Sequence, residues 1–297
     1  MTGDLLSIGA AFFWASSVIL FKLSTSRFSP LSLNLFKCLV ALVLIPVTML
    51  VLGIDFFPDQ PASDWFWLIA SGIIGITLSD LFFFMALNRL GAGLTAVVDC
   101  LYMPCVIFFS FLLLSESLSV WAIAGGLLVF TAVLVGSIPP PGQSGERTGT
   151  AVPWLGLGLG VLAMITVALG IVIIKELLTR TDVFWATLVR IQAATLSLSA
   201  MVAVMPQRKQ ILKELKFSRE WAFALPASIC GNYLALLCWM GGMKYTTAAR
   251  AAILNQMSTI FIFIMAAIFL KEKITRNRLA AIILAFTGAC LTILGPA

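Results

Sequence analysis

The chain has 297 residues, of which 61% are hydrophobic and only 11% charged, and it carries a formal net charge of +6. A water-soluble domain of this length needs more polar material to cover its surface, so the composition excludes one and indicates a polytopic membrane protein. Histidine is absent and the six cysteines form no CxxC pair. Ser/His and Cys/His catalysis, zinc-metalloprotease motifs and His-ligated haem are therefore excluded, neither a disulfide frame nor a metal knuckle is indicated, and no metal or cofactor is expected.

Ten apolar stretches near bilayer-spanning length follow one another: 5–24, 31–53, 65–88, 92–115, 118–138, 152–175, 182–205, 220–243, 248–270 and 277–295. Irregular backbone cannot face lipid, so all ten are predicted to be helices. The first opens MTGDLL, without a basic leader, and reads as a retained helix. The second follows the Ser29-Pro30 turn and carries Lys37. The third and fourth meet at Asn88-Arg89-Leu90-Gly91, and each carries one carboxylate, Asp80 and Asp99. At about 1.5 Å per residue, an antiparallel hairpin sets both roughly 13–15 Å from the same end. A charge at that depth costs a few kcal/mol or more, so two at one depth call for partners. Past the turn-rich linker PPPGQSGERTGTA at 139–151, the seventh stretch carries Arg190 and the eighth Asn232, Tyr233 and Trp239. The ninth carries Asn255-Gln256 and Ser258-Thr259.

The chain resembles itself. At a spacing of 153, Lys22, Arg27 and Lys37 meet Lys175, Arg180 and Arg190. At a spacing of 156, Asp64-Trp65 meets Glu220-Trp221, Gly75 meets Gly231, Glu116 meets Glu272, and Phe130-Thr131 meets Phe286-Thr287. Residues 1–138 and 152–297 are thus expected to be two five-helix repeats. Five is odd, so the second copy is expected to insert inverted. The loop before the third stretch, DFFPDQPASD, is acidic, whereas its counterpart QRKQILKELKFSRE is basic, as inversion requires. Of the loop lysines and arginines, 13 fall in loops 1–2, 3–4, 5–6, 7–8 and 9–10 and four in the others, which places both termini outside.

Lys37, Asp80 and Asp99 are expected to share one layer, with Arg190 as deep from the opposite face. In the second copy Leu236 replaces Asp80 and Asn255 replaces Asp99, leaving Arg190 without an acid in its own repeat. Two readings stay open. In one, the four charges are a structural ion network, with Arg190 reaching Asp80 or Asp99. In the other, an aspartate exchanges a proton or cation during transport and Arg190 meets an anionic group of the substrate. Asn232, Tyr233, Asn255, Gln256, Tyr102 and the mid-span Trp14 and Trp239 join the same zone as candidate pathway residues. Glu116 and Glu272 read as helix-end anchors. Pro46, Pro104 and Pro226, with Gly75, Gly170 and Gly231, mark places where spans can bend.

The stretches WASSVILFKLSTSRFSPLSLNLFK (14–37) and LSDLFFFMALNRLGAGLTAVVDC onward (78–137) resemble EamA-type transporters of the drug/metabolite transporter superfamily. The pattern of that family is carried by Ala86-Leu87, Ala92, Ala96, Pro104, Glu116 and Gly125-Gly126, and again by Ala248, Ala252 and Glu272. Ile260 stands for the second proline and Ala281 for a glycine. The resemblance implies ten transmembrane helices as two inverted five-helix repeats around a central cavity, working by alternating access. It also implies an exporter of amino acids, other metabolites, drugs or nucleotide-sugars, and cytoplasmic termini. No Walker motif is present, so the expectation is a secondary carrier in a bacterial plasma membrane, coupled to protons or running as a facilitator. Its expected partners are a small-molecule substrate and membrane lipid, without nucleic acid, in a monomer or weak homodimer. An intramembrane aspartyl protease using Asp80 and Asp99 is the enzyme alternative, disfavoured because their contexts, LSD and VVD, lack the YD and GxGD motifs. A purely structural membrane subunit is the third reading.

Overall fold

Local chemistry sets the helix boundaries. Ser29 caps the second helix by accepting from the Ser32 amide, and Pro30 fills its first turn, where a missing N–H costs nothing. Gly53, at φ 68°, ends the same helix in the left-handed region that favours glycine. Asp182 caps a later one, its Oδ1 accepting from the amides of Phe184 and Trp185 at 2.8 and 3.1 Å. Between the third and fourth helices Gly91 takes φ 78°, which lets the chain reverse over one residue.

The computed structural model describes residues 2–24, 28–114, 120–137, 154–245, 251, 254–255, 257–272 and 275–294. Among them there is no strand. Seven helices are long and apolar enough to cross a membrane: α1 (Thr2–Ser24), α2 (Pro30–Leu52), α3 (Ala62–Leu90), α4 (Ala92–Leu113), α6 (Trp154–Val172), α7 (Val183–Val204) and α8 (Trp221–Tyr245). Three further apolar helices are α5 (Val120–Ser137), α9 (Met257–Phe269) and α10 (Arg276–Leu294). Short helices Lys175–Arg180 and Arg208–Glu214 precede α7 and α8. Gln256, Glu116 and Ala248 lie outside the described residues.

The two sequence copies interlock. α1 packs on α8 and α9, α6 packs on α3 and α4, α2 lies along α7, and α5 pairs with α10. The irregular turns match as well: α3 is π-helical over Ile73–Leu78 and α8 over Ile229–Ala235. Each π segment holds a glycine at a helix crossing. A Cβ on Gly75 would lie 3.2 Å from the Gly170 Cα of α6, and a Cβ on Gly231 would strike Ser17 of α1. Hydroxyls close both crossings, Ser71 Oγ donating to the Gly170 carbonyl at 2.5 Å and Ser17 Oγ to the Ala227 carbonyl at 2.8 Å. A π turn leaves carbonyls without their usual i+4 donors. In α3 the Asn34 amide of α2 supplies one, donating to Ile76 and Thr77 at 3.4 and 3.1 Å.

Candidate functional site

α4 is interrupted after Asp99 and resumes at Tyr102. Pro104 is the cause: it has no N–H for the Cys100 carbonyl, and its ring excludes regular helix in the turn before it. Cys100 and Leu101 close tighter bonds instead, to the carbonyls of Val97 and Val98. The break turns Asp99 and Tyr102 toward a cavity of about 130 Å³ enclosed by α1, α2, α3, α4, α6, α7, α8 and Asn255. Nine of the eleven candidate pathway residues line it: Trp14, Lys37, Asp80, Asp99, Tyr102, Arg190, Asn232, Trp239 and Asn255. Tyr233 does not. Its hydroxyl lies 2.6 Å from Thr48 Oγ1, between α8 and α2. Gln256 is the eleventh and is not among the described residues.

Within the cavity the charges pair selectively. Lys37, 3% exposed, forms an ion pair with Asp80 and donates to Asn232 Oδ1 at 2.9 Å. Asn232 answers by donating to the Lys37 carbonyl at 3.2 Å, which ties α2 to the π segment of α8. The ammonium also sits 5.8 Å from the centre of the Phe84 ring. Asp99 takes no part in this cluster: it forms no ion pair among the described residues, and the Trp14 indole is its polar neighbour. The two aspartates therefore do not pair with each other, because Lys37 holds one and the α4 break aims the other elsewhere. This geometry gives a shared-proton aspartyl dyad no support.

Arg190 does not bridge to either acid. It is 1% exposed; Nη1 lies 3.2 Å from the Met240 Sδ, and Nε has no hydrogen-bond partner among the described residues. A guanidinium left this way in a protein interior is strongly under-satisfied, since a thioether is a weak acceptor. Gly75 leaves room for it, since a Cβ there would come within 3.3 Å of Nη2. The Tyr102 hydroxyl is also buried without a hydrogen-bond partner, its ring packed edge-on against Trp239 at 6.2 Å. Among the described residues, Lys37–Asp80 is the one ion pair at the cavity. Among the described residues Arg190 and Asp99 thus share its wall without an ion pair, although Asp80 lies within electrostatic range of Arg190.

Ser79, Phe83, Met164 and Leu236 are among the other residues of the lining. Leu236 was legible as the counterpart of Asp80, and its apolar side chain is what withholds a partner from Arg190. Met164 and Phe83 carry no such signal, being ordinary apolar residues of apolar helices.

A model of the EamA-like transporter family matches residues 1–138 and 154–294. An uncharacterized transporter of Archaeoglobus fulgidus is 25% identical over 296 residues, covering 98% of each chain. Protein PecM of Dickeya dadantii is 24% identical over 275 residues, 89% of this chain and 84% of that one. A solved crystal structure of a protein superposes with a TM-score of 0.71 at 17% identity, covering 98% of this chain and 96% of the other. That likeness concerns the fold.

Proposed function

The chain belongs to the EamA-like transporter family, and from that premise we propose that it is a secondary carrier exporting a small polar or amphipathic metabolite. Its architecture in this reading is ten membrane-crossing helices in two inverted repeats, with the cavity between them opening alternately to either side of a bacterial plasma membrane. The observation that carries the reading is Arg190, a buried guanidinium with an unbonded Nε beside a cavity whose largely apolar wall carries a few polar groups. Cargo with a carboxylate or other anionic group satisfies it by charge-assisted hydrogen bonds. Asp99, across the same cavity, suits an ammonium group, so a zwitterion of amino-acid type fits both poles. In size, about 130 Å³ approaches the roughly 150 Å³ that accommodates benzene, which suits cargo of about six heavy atoms in this conformation.

Asp99 is also the group this reading assigns to proton exchange, since it has no cation to hold its charge in place. Asp80 is less suited, because Lys37 occupies it. The test is flux in proteoliposomes loaded with labelled amino acids, scanned against internal and external pH. Export that vanishes in Arg190→Ala and loses its pH dependence in Asp99→Asn supports both assignments. Flux indifferent to Arg190→Ala would remove Arg190 from the pathway, and pH dependence surviving in Asp99→Asn would remove the coupling. Cysteine labelling of the termini from either side decides between the outside placement of the loop charges and the cytoplasmic one implied by the family.

A further inference from the structure

The connection between α7 and α8 is a folded element with no part in the cavity. Its helix Arg208–Glu214 is pinned to the body of the protein twice. Ile211 is buried, and Glu214 Oε2 accepts from the Ser29 amide at 2.9 Å and the Ser32 hydroxyl at 2.6 Å, at the first turn of α2. The start of a spanning helix lies near the bilayer boundary, so this anchor holds the connection at headgroup level. Arg208, Lys209, Lys213, Lys216 and Arg219 are all exposed on it. Leu212 and Phe217 stand among them at 53% and 86% exposure, the Phe217 ring 5.5 Å from that of Trp221 at the start of α8. They adjoin other exposed apolar residues at the helix ends, Val204 (83%) on α7 and Phe223 (40%) on α8.

Positive charge at one membrane face is expected of any polytopic chain as an orientation signal. Such a signal requires neither a helix pinned against α2 nor an exposed phenylalanine between Lys216 and Arg219. Cations ringing exposed aromatic and aliphatic side chains at headgroup level match an anionic interface, apolar groups entering the acyl boundary and ammonium groups meeting phosphates. We propose that residues 206–220 form a docking surface for anionic phospholipid headgroups.

The test uses the full-length chain in phosphatidylcholine bilayers. It measures the relative association of spin-labelled phosphatidylglycerol and spin-labelled phosphatidylcholine with the protein. A preference for phosphatidylglycerol is expected, weakening as salt is raised. Each cation near such a surface contributes about fivefold, so K209Q/K216Q/R219Q should lose most of the preference while substrate binding stays unchanged. Phe217→Ser should weaken association of both lipids at the site. No preference in the unaltered protein, or one that survives both the triple substitution and high salt, overturns the proposal. The salt series on the unaltered protein keeps the test decisive if a variant fails to fold.

Discussion

Lys37 and Arg190 stand 153 residues apart at matching positions of the two sequence copies, and their surroundings differ in one respect that matters. Each lies beside an equivalent soft neighbour, Lys37 over the Phe84 ring and Arg190 against the Met240 sulfur. Lys37 has Asp80 and Asn232, whereas Arg190 has Leu236 in the place of Asp80. The same frame thus holds one neutralised cation and one available cation. The lesson is that symmetry of backbone supplies the cavity, and breaking that symmetry where Asp80 and Asn232 correspond to Leu236 and Ile76 leaves Arg190 without an ion pair, as the charge proposed to meet cargo. The neutralised pair also joins α2 to α3 and, through Asn232, to α8, so it acts in assembly. Arg190 makes no ion pair, and its bond across to α8 is to the Met240 sulfur, a weak acceptor.

The comparison breaks most violently if the first site is made like the second. Asp80→Leu strands Lys37 as a buried, uncompensated ammonium, and removal of one partner of a buried pair costs about 3–5 kcal/mol. Thermal unfolding in detergent should show a large loss. Adding Lys37→Met should recover most of it, because the pair as a whole contributes little net stability. If Asp80→Leu unfolds at the temperature of the parent chain, the pair is not structural and the contrast with Arg190 is wrong.

The converse change concerns affinity. Arg190→Gln should weaken binding of a carboxylate-bearing ligand on the order of a hundredfold, the worth of one or two charge-assisted hydrogen bonds. Unfolding should be little affected, since no ion pair is lost. Binding titration of an amino acid beside its amide separates the poles: the amide lacks the carboxylate and should be insensitive to the substitution. A smaller effect sharpens the same point. Leu236→Asp gives Arg190 the partner that Lys37 already has, and competition from that internal carboxylate should lower affinity for anionic cargo about tenfold. Unchanged affinity would mean that Leu236 does not control the availability of Arg190.

Much of this was legible in the residues before any coordinates, for identifiable reasons. Charges in apolar helices are costly enough that Lys37, Asp80, Asp99 and Arg190 announce themselves, and a long apolar helix is read from composition alone. Repeat spacing even located the site where Arg190 lacks an acid. Pairing within the cluster was not legible. The expectation of one shared layer rested on helix rise, and rise fixes depth while leaving azimuth free. Pro104 breaks α4 just past Asp99, whose carboxylate forms no ion pair with Lys37, and depth alone carries no such information. The π segments around Gly75 and Gly231 were likewise hidden, because they arise from glycine-close crossings with α6 and α1, which are tertiary facts. Tyr233 was selected for polarity, yet successive residues of a helix point in different directions, and its hydroxyl meets Thr48 while Asn232 faces the cavity.

The smallest expected effect tests the division between frame and pathway from the frame side. Glu272 follows α9, but its carboxylate accepts from the amides of Ala92 and Gly93 at 2.9 and 3.1 Å, at the start of α4 in the other copy. Those amides have no partner inside their own helix, and a negative charge there also meets the positive end of the helix dipole. Gly91 makes the approach possible: a Cβ would lie 2.9 Å from the nearer carboxylate oxygen, and φ there is already 78°. Glu272→Gln keeps one acceptor and removes the charge, so stability should fall by about 1 kcal/mol with ligand affinity untouched. Since α4 carries Asp99 and Tyr102 one and a half to three turns further on, a cap that mattered for cargo would shift affinity as well as unfolding. Loss of affinity without loss of stability would move Glu272 out of the frame and into the pathway.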